Sequence, residues 1–256
     1  MEGFEELEQT LQKTEGTERI EILLKLGQAY ARNNRDLTKA NAYYEEALAI
    51  AVENEAPEQI AACKHQIGII HWSRGDFSAA RENFSSAHEL FKKSGNQNKT
   101  ANLLMCIGVT YLNTGNLQQA IANLRSAEYQ ALKLRDKKLS GIIYNWLGIA
   151  YNELTAYKKA FKYYLKSLKI NEELNDPSNT AIAQNSIGLV YQKLNDFTQA
   201  EKFLTESLKI REEIDDQIGI ADCFNNLGMI FRGQENYERA LDFYLKSLVI
   251  REKLGG

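Results

Sequence analysis

The chain has 256 residues, 44% of them hydrophobic, and a formal charge of −3. That length can bury a sizeable core, and the slight acidic excess argues against a nucleic-acid partner or an anionic membrane surface. No apolar run approaches the roughly 18 residues of a membrane span, and the acidic start MEGFEELEQT does not resemble a signal peptide, so the expectation is a cytoplasmic protein with no membrane partner.

Residues 3–13 read as a short amphipathic helix, with Phe4, Leu7 and Leu11 spaced to share one face. It is expected to cap the first of a series of repeats. Gly68, Gly108, Gly148, Gly188 and Gly228 stand 40 residues apart, and Gly27 lies 41 before Gly68. Repetition at a fixed period of this size signals stacked supersecondary units. Each copy reads as two helices, A and B, over residues 18–53, 57–93, 97–134, 137–174, 177–214 and 217–254. The first A helix is expected over 18–33 and its B helix over 37–53. The expectation is a single solenoid domain across residues 1–256. Only two prolines, Pro57 and Pro177, interrupt the helix-favouring composition, and both suit first helical positions. Asp36, Asp76, Asn116, Asp196 and Asn236 precede B helices and can accept from their unpaired first-turn N–H groups. The fourth copy has Ala156 there and must be capped differently.

A helical glycine costs about 1 kcal/mol relative to alanine. Its recurrence in every A helix therefore calls for a compensating contact. The expected one is close approach of the B helix at Ala40, Ala80, Ala120, Ala160, Ala200 and Ala240. A second small position follows at Ala47, Ala87, Ala127, Ser167, Ser207 and Ser247. Aromatic rings recur after the glycine at Tyr30, Tyr111, Tyr151, Tyr191 and Phe231, with His71 in the second copy. Cys63, Cys106 and Cys223 are odd in number and far apart, as expected of reduced thiols in helix packing.

Leu-Gly-x-x-aromatic in helix A, followed by Ala-x-x-x-aromatic and a small residue in helix B, resembles the tetratricopeptide repeat over residues 18–254. The common repeat is 34 residues long and usually ends with proline. Here the period is 40, and Glu172, Glu212 and Glu252 stand where proline is expected. The longer form is similar to the repeats of kinesin light chain and of bacterial regulatory proteins. The resemblance implies an all-α, right-handed superhelical solenoid of six antiparallel helix pairs, with the A helices lining a concave groove. It also implies a non-enzymatic scaffold that binds a peptide or protein partner there. The alternative is a sensory region of a larger signalling protein, such as a histidine kinase, cyclase or transcription regulator.

On that implied geometry, groove positions lie three before, one after and four after each helical glycine. The candidate partner-binding residues are Asn145, Asn185 and Asn225; Ile69, Ile149, Leu189 and Met229; and Trp72, Gln192 and Arg232. An amide side chain both donates and accepts, so the three asparagines could hold an extended backbone, or could bond to a neighbouring helix. Trp72 is either an anchor or a space filler, whereas Trp146 is expected in the core. No phosphate loop, nucleophile elbow, zinc motif or calcium loop is present, so no catalytic residue, metal or cofactor is expected. The carboxylate-clamp set of chaperone-binding members does not carry over, since only Lys25 and Asn226 fit it. Leu241, Leu245 and Leu248 would lie exposed on the last helix. Three explanations stay open: the native chain continues, the helix self-associates, or Lys246 and Arg251 cover it.

Overall fold

The computed structural model describes residues 2–31 and 36–255, with side chains from Glu6 onward. The packing of Phe4 and the close of the first A helix at Asn33 lie outside the described residues. Among the described residues the structure is all-α. Its helices are α1 (Glu2–Leu11), α2 (Gly16–Ala29), α3 (Leu37–Glu53), α4 (Pro57–Ser73), α5 (Phe77–Lys93), α6 (Gln97–Asn113), α7 (Leu117–Lys133), α8 (Lys137–Glu153), α9 (Tyr157–Glu173), α10 (Pro177–Lys193), α11 (Phe197–Glu213), α12 (Gln217–Gly233) and α13 (Tyr237–Lys253). They form two compact units, residues 1–130 and 131–256.

From α3 onward every helix has the same length and every joint has three residues, so each 40-residue copy is two equal halves. The joint explains this. After α4, the Asp76 N–H donates to the His71 carbonyl (2.9 Å) and the Gly75 N–H to the Trp72 carbonyl (3.0 Å), with Gly75 at φ 80°. That paired closure satisfies the orphan carbonyls of the helix end. The Asp76 carboxylate then accepts from the Ala79 N–H (3.1 Å), so one residue ends α4 and begins α5. Capping by Asp or Asn recurs at Asn96, Asn116, Asp136, Asp176, Asp196, Asp216 and Asn236. The A helices α6, α8, α10 and α12 are thus capped by the same chemistry as the B helices. Ala156, expected to be replaced by another capping group, leaves α9 with no side-chain cap at all.

Within unit 1, α2 pairs with α3 and α4 with α5; within unit 2, α8 pairs with α9, α10 with α11 and α12 with α13. Leu11 of α1 packs against the core of Ile20, Leu23, Ala47 and Ala51. Successive A helices also touch each other, α2 with α4, α8 with α10 and α10 with α12. This gives unit 2 a continuous A-helix surface over α8, α10 and α12, and joins α2 to α4 in unit 1.

The structure corrects the account of the glycines. Their neighbour is the large B-helix residue four positions after the alanine. A Cβ on Gly68 would come within 2.6 Å of the Phe84 ring, and one on Gly228 within 2.6 Å of Tyr244. Tyr44, Leu124, Tyr164 and Leu204 occupy the same place against Gly27, Gly108, Gly148 and Gly188. Where that residue is the smaller leucine, the Ala120 or Ala200 backbone carbonyl also approaches, to 3.2 Å. The alanines let the backbones close, but the glycine is hollowed out for a ring or a leucine.

Candidate binding surface of the A helices

In unit 2 the asparagines three residues before each glycine are half-buried, and two of them bond to the next A helix. The Ser186 hydroxyl donates to Asn145 Oδ1 (3.4 Å), and the Asn226 Nδ2 donates to Asn185 Oδ1 (2.9 Å). The Asn225 Nδ2 donates to the Met229 sulfur at 3.8 Å. The carbonyl halves of Asn145 and Asn185 thus stitch helix to helix. Their NH2 halves have no protein acceptor among the described residues. Four residues after the glycine, Asn152 Oδ1 and Gln192 Oε1 are buried and accept no hydrogen bond. A buried acceptor without a donor costs about 1–3 kcal/mol. Ile149, Leu189 and Met229 lie between these two polar rows and are half-buried, while Arg232 is exposed.

Unit 1 offers a different surface at the same positions. Leu24, His65 and Met105 replace the asparagines. Burial depresses the His65 imidazole to about 4, so it is neutral at physiological pH, and its ring meets the edge of Phe84 at 5.9 Å. Ile69 and Trp72 are 39% and 37% exposed. Beside Ile69 lies a cavity of about 410 Å³ lined by Gln28, Ala31, Leu37, Tyr44, Gln66 and Ile70, among others. Ala31 accounts for part of this space, since the same position carries Trp72, Leu112, Asn152, Gln192 or Arg232 in later copies.

Some groove positions read from the sequence fall elsewhere. Val109 is buried, and Trp146, expected in the core, is only half-buried. The residues two before each glycine, Trp146 and Asn226 among them, are not among the groove positions expected from the sequence. Gln66 lines the cavity, while Ser186 and Asn226 donate to the asparagine row. The adjacent pair Asn225-Asn226 was the available signal.

Burial pushes the Cys63 and Cys106 thiols up to about 12, which removes thiolate reactivity. Among the described residues no group of three His, Cys, Asp or Glu could hold a metal ion, and no helix is long and apolar enough to cross a membrane.

The sequence matches the tetratricopeptide repeat family over residues 18–93, 139–213 and 179–253. The chain belongs to that family. Solved tetratricopeptide structures of low identity share the fold. A Rap protein complexed with competence and sporulation factor is 18% identical over 98% of this chain and 80% of that one, with a TM-score of 0.76. NprR in complex with its cognate peptide NprX is 18% identical over 98% and 72%, at 0.73. A signal-transduction ATPase with a tetratricopeptide repeat sensor from Pyrococcus horikoshii is 20% identical over 94% of this chain but only 38% of its own length, at 0.75. No curated protein matches the sequence.

Proposed function

We propose that the A-helix surface holds an extended segment of a partner protein, and that the chain acts as a non-catalytic scaffold. The carrying observation is the pair of unbonded acceptors, Asn152 Oδ1 and Gln192 Oε1, at the same position in successive copies and about two helical turns from the free amide nitrogens of Asn145 and Asn185. A peptide backbone supplies the donors and acceptors these groups lack, without its sequence being read. Ile149, Leu189 and Met229 add apolar contact between the rows. The peptide named in the NprR complex supports the reading by analogy of fold.

The test starts from peptides selected out of a displayed random library on the wild-type chain. One such peptide is titrated against the Asn152→Ala/Gln192→Ala variant by calorimetry. Loss of about tenfold in affinity is expected, since two hydrogen bonds of about 0.5–1.5 kcal/mol each disappear. Unchanged affinity with unchanged helical circular dichroism would sink the amide reading.

A second reading, self-association, is favoured by α13, where Leu241, Leu245 and Leu248 are all about half exposed. Light scattering at high concentration tests it, and a monodisperse monomer removes it. The third reading, a sensor region within a longer signalling chain, draws support from the sensor-bearing ATPase. It is tested by whether peptide binding at the A-helix surface changes the output of the longer chain.

A further inference from the structure

Whereas the A helices carry the scaffold reading, the B helices of unit 2 carry a separate one. On α9 the exposed residues at intervals of four, three and four are Lys158, Lys162, Leu165 and Lys169. The same places on α11 are Thr198, Lys202, Thr205 and Lys209, again all exposed. Five lysines therefore share one face over two successive B helices, with no carboxylate at those positions. None of the five forms an ion pair within 4 Å among the described residues, although Lys169 helps Lys137 hold the Glu173 carboxyl below its ordinary range. The acids in the middle of α11 are held by neighbours: Glu201 pairs with Arg239 of α13 (3.7 Å), and Glu206 accepts from Gln184 of α10 (3.4 Å). The other lysines of α9 are also engaged, Lys166 over the Tyr144 ring and Lys159 over Tyr151.

On α3, α5 and α13 the corresponding face has the opposite sign, whereas α7 carries Gln118, Ala122, Arg125 and Tyr129 there. Glu45 of α3, and Glu82 and Glu89 of α5, are exposed there, as are Glu238 and Asp242 of α13. Concentrating like charge costs self-repulsion, and in a chain of net charge −3 it creates one local region of positive potential. From Lys158 to Lys169 the strip runs about 16 Å at 1.5 Å per residue.

We propose that the exposed faces of α9 and α11 form a docking surface for an acidic segment of a partner protein. Charge complementarity selects the sign, and the width of the strip selects the partner. A flat anionic membrane or a long duplex would extend onto the neighbouring face of α13 and meet Glu238 and Asp242. A short Glu-rich segment fits the strip alone. Lysine suits this role, because its compact ammonium on a flexible stem follows scattered carboxylates without demanding a fixed planar geometry.

The test uses the full chain and a fluorescein-labelled peptide of alternating glutamate and alanine, read by anisotropy at low salt. Binding is expected to weaken as salt rises. The variant Lys158→Glu/Lys162→Glu/Lys169→Glu should bind at least about tenfold more weakly, as three exposed charge contacts are lost. A control with the same change in net charge, Lys92→Glu/Lys93→Glu/Lys133→Glu, should stay within about twofold of wild type. The neutral Lys→Gln triple at 158, 162 and 169 should fall between wild type and the Glu variant. The Asn152→Ala/Gln192→Ala variant should bind this peptide as wild type does, so failure here is distinguishable from failure of the A-helix reading. Absence of binding by wild type, an equal loss in the control, or tighter binding to phosphatidylserine vesicles or duplex DNA would overturn the proposal.

Discussion

The two units solve the same packing problem with different chemistry. At the seam between A and B helices, unit 1 uses Ala47 and Ala87, whereas unit 2 uses buried serines: Ser167, Ser207 and Ser247 each donate to an A-helix carbonyl at 2.8 Å. One turn further along the B helix, unit 1 has Ala51 and Phe91, while unit 2 has Asn171 and Arg211, each bonded to the serine before it. Arg211 also reaches Asp216 at 3.1 Å, and Gly219 leaves room for its guanidinium. Unit 1 thus closes its seam by apolar volume and unit 2 by directed bonds. Apolar volume can be lost in large steps, whereas hydrogen bonds contribute modestly because water competes for them.

The largest expected effect follows from that contrast. Phe91→Ala should destabilise the chain by about 3–5 kcal/mol, since a buried ring is removed from a cluster with Ala61, Ala87 and Leu103. Asn171→Ala, at the same place in unit 2, should cost only about 1 kcal/mol. Urea unfolding of both variants measures the difference. Equal losses would mean that the amide network in unit 2 carries as much as the aromatic packing in unit 1.

The second prediction concerns pH and exchanges one unit's chemistry for the other's. His65 stands where unit 2 has asparagine. Its folded value of about 4 lies below the ordinary 6.5, chiefly through burial and secondarily through Lys99. Between those values the unfolded chain binds a proton that the folded chain does not. Stability is therefore complete above about pH 6.5, falls as pH drops toward about 4 and levels off below, for a total on the order of 3 kcal/mol. His65→Asn should remove this component. Urea midpoints at neutral and mildly acidic pH, compared between wild type and variant, measure it, and parallel pH profiles would refute it.

The repeat period, the helix pairs and the positions that build them were legible in the sequence because each recurs in every copy. The partner of each glycine was misread. Spacing identified both the alanine and the residue four beyond it as recurrent, but only the geometry shows that Phe84 or Tyr244, not Ala80 or Ala240, fills the hollow. The asparagine row was visible by position. Its split between helix-to-helix bonds and free amide nitrogens was not, since that depends on Ser186 and Asn226, one residue off the pattern. The cavity at Ala31 was hidden for a related reason: an alanine among larger equivalents matters only once the neighbouring helix is in place.

The smallest prediction tests a difference at the joints. At the left-handed position of each three-residue turn, unit 1 has Gly75, Gly95 and Gly115 after a single exception, Glu55. Unit 2 uses Arg135, Thr155, Asn175, Asn195, Asp215 and Glu235 before its terminal Gly255. Positive φ is uncommon for any residue with a Cβ and least tolerated by a β-branched one. Thr155, at φ 55°, is the extreme case, and its joint also lacks a side-chain cap at Ala156. Glycine there relieves a penalty of about 1–2 kcal/mol and gives back about 0.5–1 kcal/mol in unfolded-state entropy. Thr155→Gly should therefore stabilise the chain by about 0.5–1 kcal/mol. The converse, Gly75→Thr, should destabilise unit 1 by a similar amount or slightly more, because the native Gly75 sits at φ 80°, further from the range side chains accept. If calorimetric melting shows no gain from Thr155→Gly, the joint between α8 and α9 already offsets the strain of the threonine through contacts that glycine cannot keep.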